Sequence, residues 1–126
     1  MIARRTSTLL AIAGLAALAA GPAHAGQPAA KRKPQKKTVK VYDNYFGPTK
    51  LTVNAGSIVT WKWTEQAADV HDVKLTKGPK GAKKFWSDPG SIDYAYRQRL
   101  TKPGTYRILC TFHEEDNMRM TVVVRK

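Results

Sequence analysis

The sequence is short of cysteine and of acidic residues. Cys110 is the single cysteine among 126 residues, so the chain can form no internal disulfide. Nine Asp+Glu stand against 22 Lys+Arg, and the formal charge of +13 favours an anionic partner such as nucleic acid, a membrane surface or an acidic protein. The hydrophobic fraction of 42% excludes a wholly disordered chain, and the length allows one domain with one modest core.

The sequence also lacks an apolar run long enough to span a bilayer. Its longest, residues 9–20, follows Arg4 and Arg5 and precedes the small-residue cleavage motif Ala23-His24-Ala25. We therefore predict a signal peptide over residues 1–25 and a protein exported to the periplasm, cell envelope or extracellular space. A retained membrane anchor is the competing interpretation. The general secretory route is favoured over the twin-arginine route, because Thr6-Ser7-Thr8 places no apolar residue soon after the arginine pair.

Most of the excess positive charge lies outside the predicted domain. Residues 26–38 contain five basic residues, no acid and no large apolar side chain, so we predict a disordered basic tail. This tail is either a solvated tether or a segment that contacts an anionic membrane or cell envelope. The domain over residues 39–126 keeps 15 basic and nine acidic residues, or +6. It has no nucleic-acid-binding signature, and export argues against nucleic acid as the partner.

Short runs of alternating apolar and polar residues, separated by Gly, Pro, Asn and Asp, fill the domain. Such a pattern predicts an all-β, antiparallel sandwich or barrel, with Trp61, Trp63 and Tyr106 in its core. The predicted runs cover residues 39–41, 51–53, 59–63, 71–75, 92–96, 106–110 and 118–124.

The residues that bind soft metals fall into one pattern. The mature chain has two histidines, one cysteine and two methionines, and four of these five lie within residues 110–120. His71 lies about forty residues earlier and is predicted to reach the same end of the sandwich. Two imidazoles, one thiolate and a weak axial thioether form the ligand set of a blue-copper electron-transfer site. Zinc is the competing metal, but a structural zinc site would gain little from methionine.

These residues sit in a wider pattern of motifs that resembles the plastocyanin-like cupredoxins, or type 1 blue-copper proteins. The resemblance runs from about Val39 to Arg125. It includes Asn44-Tyr45-Phe46-Gly47-Pro48, Leu51-Thr52-Val53, Val59-Thr60-Trp61, His71-Asp72-Val73, Pro103-Gly104-Thr105-Tyr106 and the spacing Cys110-x₂-His113-x₄-Met118.

The resemblance implies a Greek-key β-sandwich or barrel of seven to eight strands. It also implies one mononuclear copper ion, cycling between Cu(I) and Cu(II), held by His71, Cys110, His113 and Met118. Met120 is the rival axial ligand, because it shares the strand face of Met118 and stands where many relatives have glycine. Around the ligands, Asp72 is expected to accept a hydrogen bond from Thr111, and Phe46 and Phe112 to supply apolar cover.

The predicted function is that of an electron carrier and not of an enzyme, since four protein ligands leave no open position for a substrate. We expect a monomer that passes electrons through the edge of His113 to a redox partner, and the positive charge favours a partner with an acidic docking face. Two alternatives remain: copper storage or delivery, and a basic module that binds anionic surfaces.

Overall fold

The computed structural model describes residues 30–126, together with Gly14 and Gly21. Apart from these two glycines, the predicted signal peptide lies outside the described residues, and so do residues 26–29 of the predicted tail. Within the described part of the chain, no helix combines the length and apolarity needed to cross a membrane.

In residues 30–126, eight strands form two four-stranded sheets that enclose one core, which confirms the predicted all-β sandwich. The first sheet has the order β2-β1-β4-β6 and the second the order β3-β8-β7-β5. The strands are β1 (Lys36–Tyr42), β2 (Tyr45–Gly47), β3 (Lys50–Asn54), β4 (Ser57–Trp63), β5 (Lys74–Lys77), β6 (Ala95–Leu100), β7 (Gly104–Leu109) and β8 (Arg119–Arg125).

Both sheets are mixed, whereas the alternation had predicted an antiparallel sandwich. β1 pairs with β4 in parallel and β3 pairs with β8 in parallel, while the other pairings are antiparallel. Alternation reports which face of a strand is buried but not which strand lies beside it, so this part of the prediction was wrong.

The core is built from the inward faces of the central strands. In β4, Val59, Trp61 and Trp63 are buried and their neighbours are more exposed, as a period of two requires. β8 buries Met120, Val122 and Val124 in the same manner. Trp61, Trp63 and Tyr106 are all at most 2% exposed, which confirms them as core residues.

Three predicted strand starts lie three residues away from the observed ones. β1 begins at Lys36, because residues 36–38 pair with residues 58–60 of β4; the ordered strand thus includes three residues assigned to the tail. The run over residues 71–75 becomes strand only from Lys74, and His71 makes an isolated bridge with Gly90. The run over residues 92–96 becomes strand only from Ala95, because Asp93 adopts a left-handed conformation (φ 66°) that interrupts an extended chain.

The strand directions give the sandwich two distinct ends. β1 and β4 run toward the end that we call the upper end, and β5, β6 and β8 start there. The upper end is formed by residues 43–44, 64–73, 86–94 and 110–118. The lower end carries the start of β1, the turns at residues 55–56 and 101–103, and the C-terminus.

Candidate metal centre

Three side chains from two distant parts of the sequence converge at the upper end. His71 precedes β5, Cys110 follows β7 directly, and His113 ends the 3₁₀ turn Thr111–His113. The Cys110 Sγ lies 3.8 Å from His71 Nδ1 and 3.6 Å from His113 Nδ1, and the potential ligand atoms of the three residues all lie within 4.8 Å of one another. His71 and Cys110 are fully buried, so the group is closed to solvent except at His113.

Backbone hydrogen bonds shape the loop that supplies two of these residues. The N–H of Cys110 donates to the carbonyl of Met118 (3.0 Å), and the N–H of Met118 donates to the carbonyl of His113 (3.1 Å). Asn117 takes a left-handed conformation (φ 55°), which asparagine tolerates better than most residues and which turns the chain back toward β8. The loop is therefore closed on itself by main-chain contacts, although its three acidic residues, Glu114 to Asp116, are exposed.

A carboxylate lies near the outer nitrogen of each imidazole, but only the one beside His71 is within hydrogen-bond distance. His71 Nε2 lies 2.8 Å from Asp43 Oδ1, and His113 Nε2 lies 3.8 Å from Asp69 Oδ2. A carboxylate that accepts from Nε2–H favours the tautomer whose lone pair is on Nδ1, the atom that faces the thiol and that a metal would bind. The same hydrogen bond is the largest of the effects that lower the pKa of Asp43 below its ordinary value.

Asp43 and Asp69 were not among the sequence-predicted site residues. Asp43 lies 28 positions before His71 in the sequence, and only the β1–β2 turn brings it to the upper end. A carboxylate in a turn has no local pattern that distinguishes it from an ordinary turn residue.

Asp72 ties the two ligand segments together. Its Oδ1 accepts a hydrogen bond from the backbone N–H of Thr111 (2.7 Å), and its Oδ2 accepts from the Thr111 hydroxyl. The Trp86 indole N–H donates to the same Oδ2 (2.8 Å), a contact that sequence reasoning did not include. Asp72 is only 1% exposed, so this carboxylate is buried and has three donors, unlike an ordinary surface aspartate.

The two methionines have different surroundings. Met118 is fully buried at the end of the loop that follows Cys110, just before β8. Met120 is also buried, but its Sδ accepts the indole N–H of Trp61 at 3.2 Å, within the core between the sheets. The thioether of Met120 is thus already engaged in the core.

The two phenylalanines expected to cover the site lie in different environments. Phe46, on β2, is 1% exposed and belongs to the core. Phe112 lies in the 3₁₀ turn between Cys110 and His113 and is 51% exposed. Phe112 is therefore a surface residue beside the site.

The donor set and its spacing fit a transition metal. For zinc, a first-row metal, Cys S and His N bonds are about 2.3 and 2.0–2.1 Å long, so angles of about 110–120° place N and S roughly 3.6–3.8 Å apart. The observed separations of 3.6 and 3.8 Å match this range. Burial raises the pKa of the Cys110 thiol, which keeps the proton on the sulfur. A metal that binds this sulfur as a thiolate must therefore displace the thiol proton. Soft sulfur beside two imidazoles favours copper among these metals.

Fold and site together define a cupredoxin. The model of the cupredoxin-like domain family matches residues 9–124, and the chain belongs to this family. Members of the family bind one copper ion, and the His–Cys–His group of such a site is present here.

Particular relatives agree with this assignment. The chain is 34% identical over 107 residues to amicyanin-alpha of Methylorubrum extorquens, covering 85% of this chain and 86% of that protein. Among solved structures it is similar to a pseudoazurin from Sinorhizobium meliloti (25% identity, TM-score 0.60), covering 73% of this chain and 75% of that one. It is also similar to a reduced amicyanin variant (30% identity, TM-score 0.59), with 71% and 82% covered.

Proposed function

We propose that this protein is an exported type 1 copper protein that carries single electrons between redox partners. His71, Cys110 and His113 would hold the copper, with Met118 as the axial ligand. The observation that carries this proposal is the convergence of two Nδ1 atoms and one thiol sulfur at a buried point. Similarity to amicyanin and pseudoazurin supports it.

The surrounding residues hold the ligands in place before any metal arrives. When bound, copper supplies a one-electron couple between Cu(I) and Cu(II). The Asp43 and Asp72 hydrogen bonds fix His71 and the Thr111 segment, so the ligands need to move little when the charge at the site changes. Small rearrangement favours rapid electron exchange. With four protein ligands, no position is left for a substrate, which supports a carrier and not an enzyme.

His113 is the proposed exit for the electron. Its side chain is 14% exposed, whereas His71 is completely buried. A partner protein that docks at the upper end would therefore approach the site through the His113 ring. The positive net charge of the chain favours a partner with an acidic docking face. The charges are distributed unevenly over the surface, however, so the net charge does not describe the charge at the docking site.

Copper titration followed by voltammetry tests the proposed function. We expect one Cu(II) per chain, an intense visible absorption from the thiolate–copper bond, and a reversible one-electron wave. A protein for copper storage or delivery would instead release its copper rapidly to a chelator in either oxidation state. Rapid release together with an irreversible wave would contradict the carrier function.

Substitution of the two methionines separates the axial ligand from its rival. We expect Met118→Leu to raise the reduction potential, since loss of a weak fourth donor destabilises Cu(II) more than Cu(I). Met120→Leu removes the acceptor of the Trp61 indole and should lower the free energy of unfolding by about 1 kcal/mol with little change in potential. Voltammetry and urea unfolding of both variants provide the measurement, and each variant serves as the control for the other. A potential that shifts only in Met120→Leu would reverse the assignment.

Export and the basic tail complete the proposal. The signal peptide predicted over residues 1–25 would deliver the protein to the periplasm, cell envelope or extracellular space, as a monomer that begins at Gly26. The exposed Lys31, Arg32 and Lys33 are free to contact an anionic envelope surface. Amino-terminal sequencing of the exported protein is the direct check, and a first residue other than Gly26 would overturn the predicted cleavage site.

A further inference from the structure

The acidic residues of this basic protein are all at one end. Each of the nine Asp and Glu residues lies in a connection at the upper end, and none lies in a strand. Seven of the nine are exposed; Asp43 is partly buried, and Asp72 is buried. The exposed ones are Glu65, Asp69, Asp88, Asp93, Glu114, Glu115 and Asp116.

Basic residues are excluded from the same segments. Residues 43–44, 64–73, 86–94 and 110–118 contain no lysine or arginine. The two cations that directly follow these segments in the sequence are already engaged: Arg119 pairs with Glu114 at 3.2 Å, and the Lys74 ammonium lies 4.1 Å from the centre of the Trp86 ring. The lower end is basic, with exposed Lys31, Arg32, Lys33, Lys102, Arg125 and Lys126.

The upper end also carries exposed apolar side chains. Phe112 (51% exposed) and Val70 (45% exposed) each lie next to a proposed ligand in the sequence. The other exposed large hydrophobic residues of the described chain, Tyr45, Trp86 and Ile92, also belong to upper-end segments or to the β2 strand that starts there. Apolar side chains surrounded by charge of one sign are typical of a docking surface that recognises a complementary partner.

We infer that the upper end is an anionic docking surface and that the electron-transfer partner is a protein with a basic docking face. This inference rests on the proposed function, because it names the partner of the same site. Steering depends on the charges close to the point of contact, since an exposed charge farther away than a Debye length of about 8–10 Å is largely screened. The carboxylates of residues 114–116 are therefore felt at the His113 edge far more than the lysines at the lower end.

Binding of a redox-inert cation tests the surface without electron transfer. Paramagnetic hexaamminechromium(III) is titrated into ¹⁵N-labelled Cu(I) protein, and the broadening of amide signals is followed by NMR. We expect residues 69–70 and 112–117 to broaden first. Broadening spread evenly over the molecule, or none in these residues, would overturn the inference.

Electron-transfer kinetics give the sign of the local charge. The Cu(I) protein is oxidised by the cation tris(phenanthroline)cobalt(III) and, separately, by the anion ferricyanide, at ionic strengths from about 0.01 to 0.5 M. We expect the cobalt rate to fall with salt and the ferricyanide rate to rise, although the whole protein is positively charged. A cobalt rate that rises with salt would mean that the net charge governs approach and would overturn the inference. If neither complex oxidises the protein, the proposed function fails, while the chromium experiment still decides the surface.

A pair of variants with the same net charge isolates the position of the charge. Glu115→Gln and Thr101→Lys each raise the net charge by one, the first at the upper end and the second on an exposed residue at the lower end. We expect Glu115→Gln to lower the cobalt rate at low salt about threefold, because it removes one charge near the contact. Thr101→Lys should leave this rate almost unchanged. Equal effects of the two variants would contradict a local docking surface.

Discussion

Replacing Cys110 with serine is expected to abolish the intense visible absorption of the Cu(II)-loaded protein. The absorption arises from charge transfer between a thiolate and copper, and Cys110 supplies the only thiol in the chain. A serine hydroxyl is a hard donor that stays protonated near neutral pH, so it cannot reproduce the soft, covalent bond to copper. Affinity for Cu(I) should fall more than affinity for Cu(II), because the softer ion depends more on sulfur.

Loss of the absorption reports on the copper ligand only if the Cys110→Ser protein still folds. Serine is nearly isosteric with cysteine, and Cys110 is fully buried, so the fold should persist with a modest loss from burying a more polar group. Circular dichroism and urea unfolding of the metal-free forms provide this control. A folded Cys110→Ser variant that keeps the colour would show that Cys110 is not the copper ligand.

Asp72→Ala is expected to destabilise the metal-free protein by about 2–4 kcal/mol, since it removes the buried charged acceptor that three donors share. The donors are the backbone N–H and hydroxyl of Thr111 and the indole N–H of Trp86. The same substitution unties the segment after Cys110 from the segment of His71. We therefore also expect slower and weaker copper loading. Urea unfolding and copper titration measure the two effects.

Conservative variants distinguish the charge of Asp72 from its hydrogen bonds. Asp72→Asn keeps an oxygen that can accept from the Thr111 N–H but removes a negative charge close to the copper ligands. We expect it to raise the reduction potential, because the carboxylate stabilises Cu(II) more than Cu(I). Thr111→Val removes only the hydroxyl and keeps the charge, so it should lower stability while the potential changes little. An unchanged potential in Asp72→Asn would exclude the electrostatic role.

The sequence predicted those parts of the structure that depend on local pattern or on ligand chemistry. Alternation identified β4, β7 and β8 and their buried faces, because in these strands one face packs in the core along the whole length. The set of two imidazoles, one thiol and a methionine singled out the residues that the fold brings together, since few other roles require that combination. The chemistry of a side chain indicates its role even where the local structure was predicted incorrectly. His71 was predicted to open a strand but precedes β5.

Other features depend on long-range pairing and could not be predicted from local pattern. The parallel alignments of β1 with β4 and of β3 with β8 are properties of the whole fold. Asp43 contacts His71 only because the β1–β2 turn meets the segment before β5. The segregation of charge is visible only once the connections are assigned to two ends. Composition gave the sign of the total charge, which is opposite to the sign of the charge around the site.

The entry point of the chain at the lower end has a practical consequence for presenting the protein on a surface. β1 starts at Lys36 beside Ile58, while both strands run toward the end that holds His113. Seven strand residues at about 3.3 Å each separate the two ends by roughly 20 Å. A bead, electrode or vesicle attached through the amino-terminal segment would therefore be joined at the end opposite His113 and would leave the redox end accessible to a soluble protein.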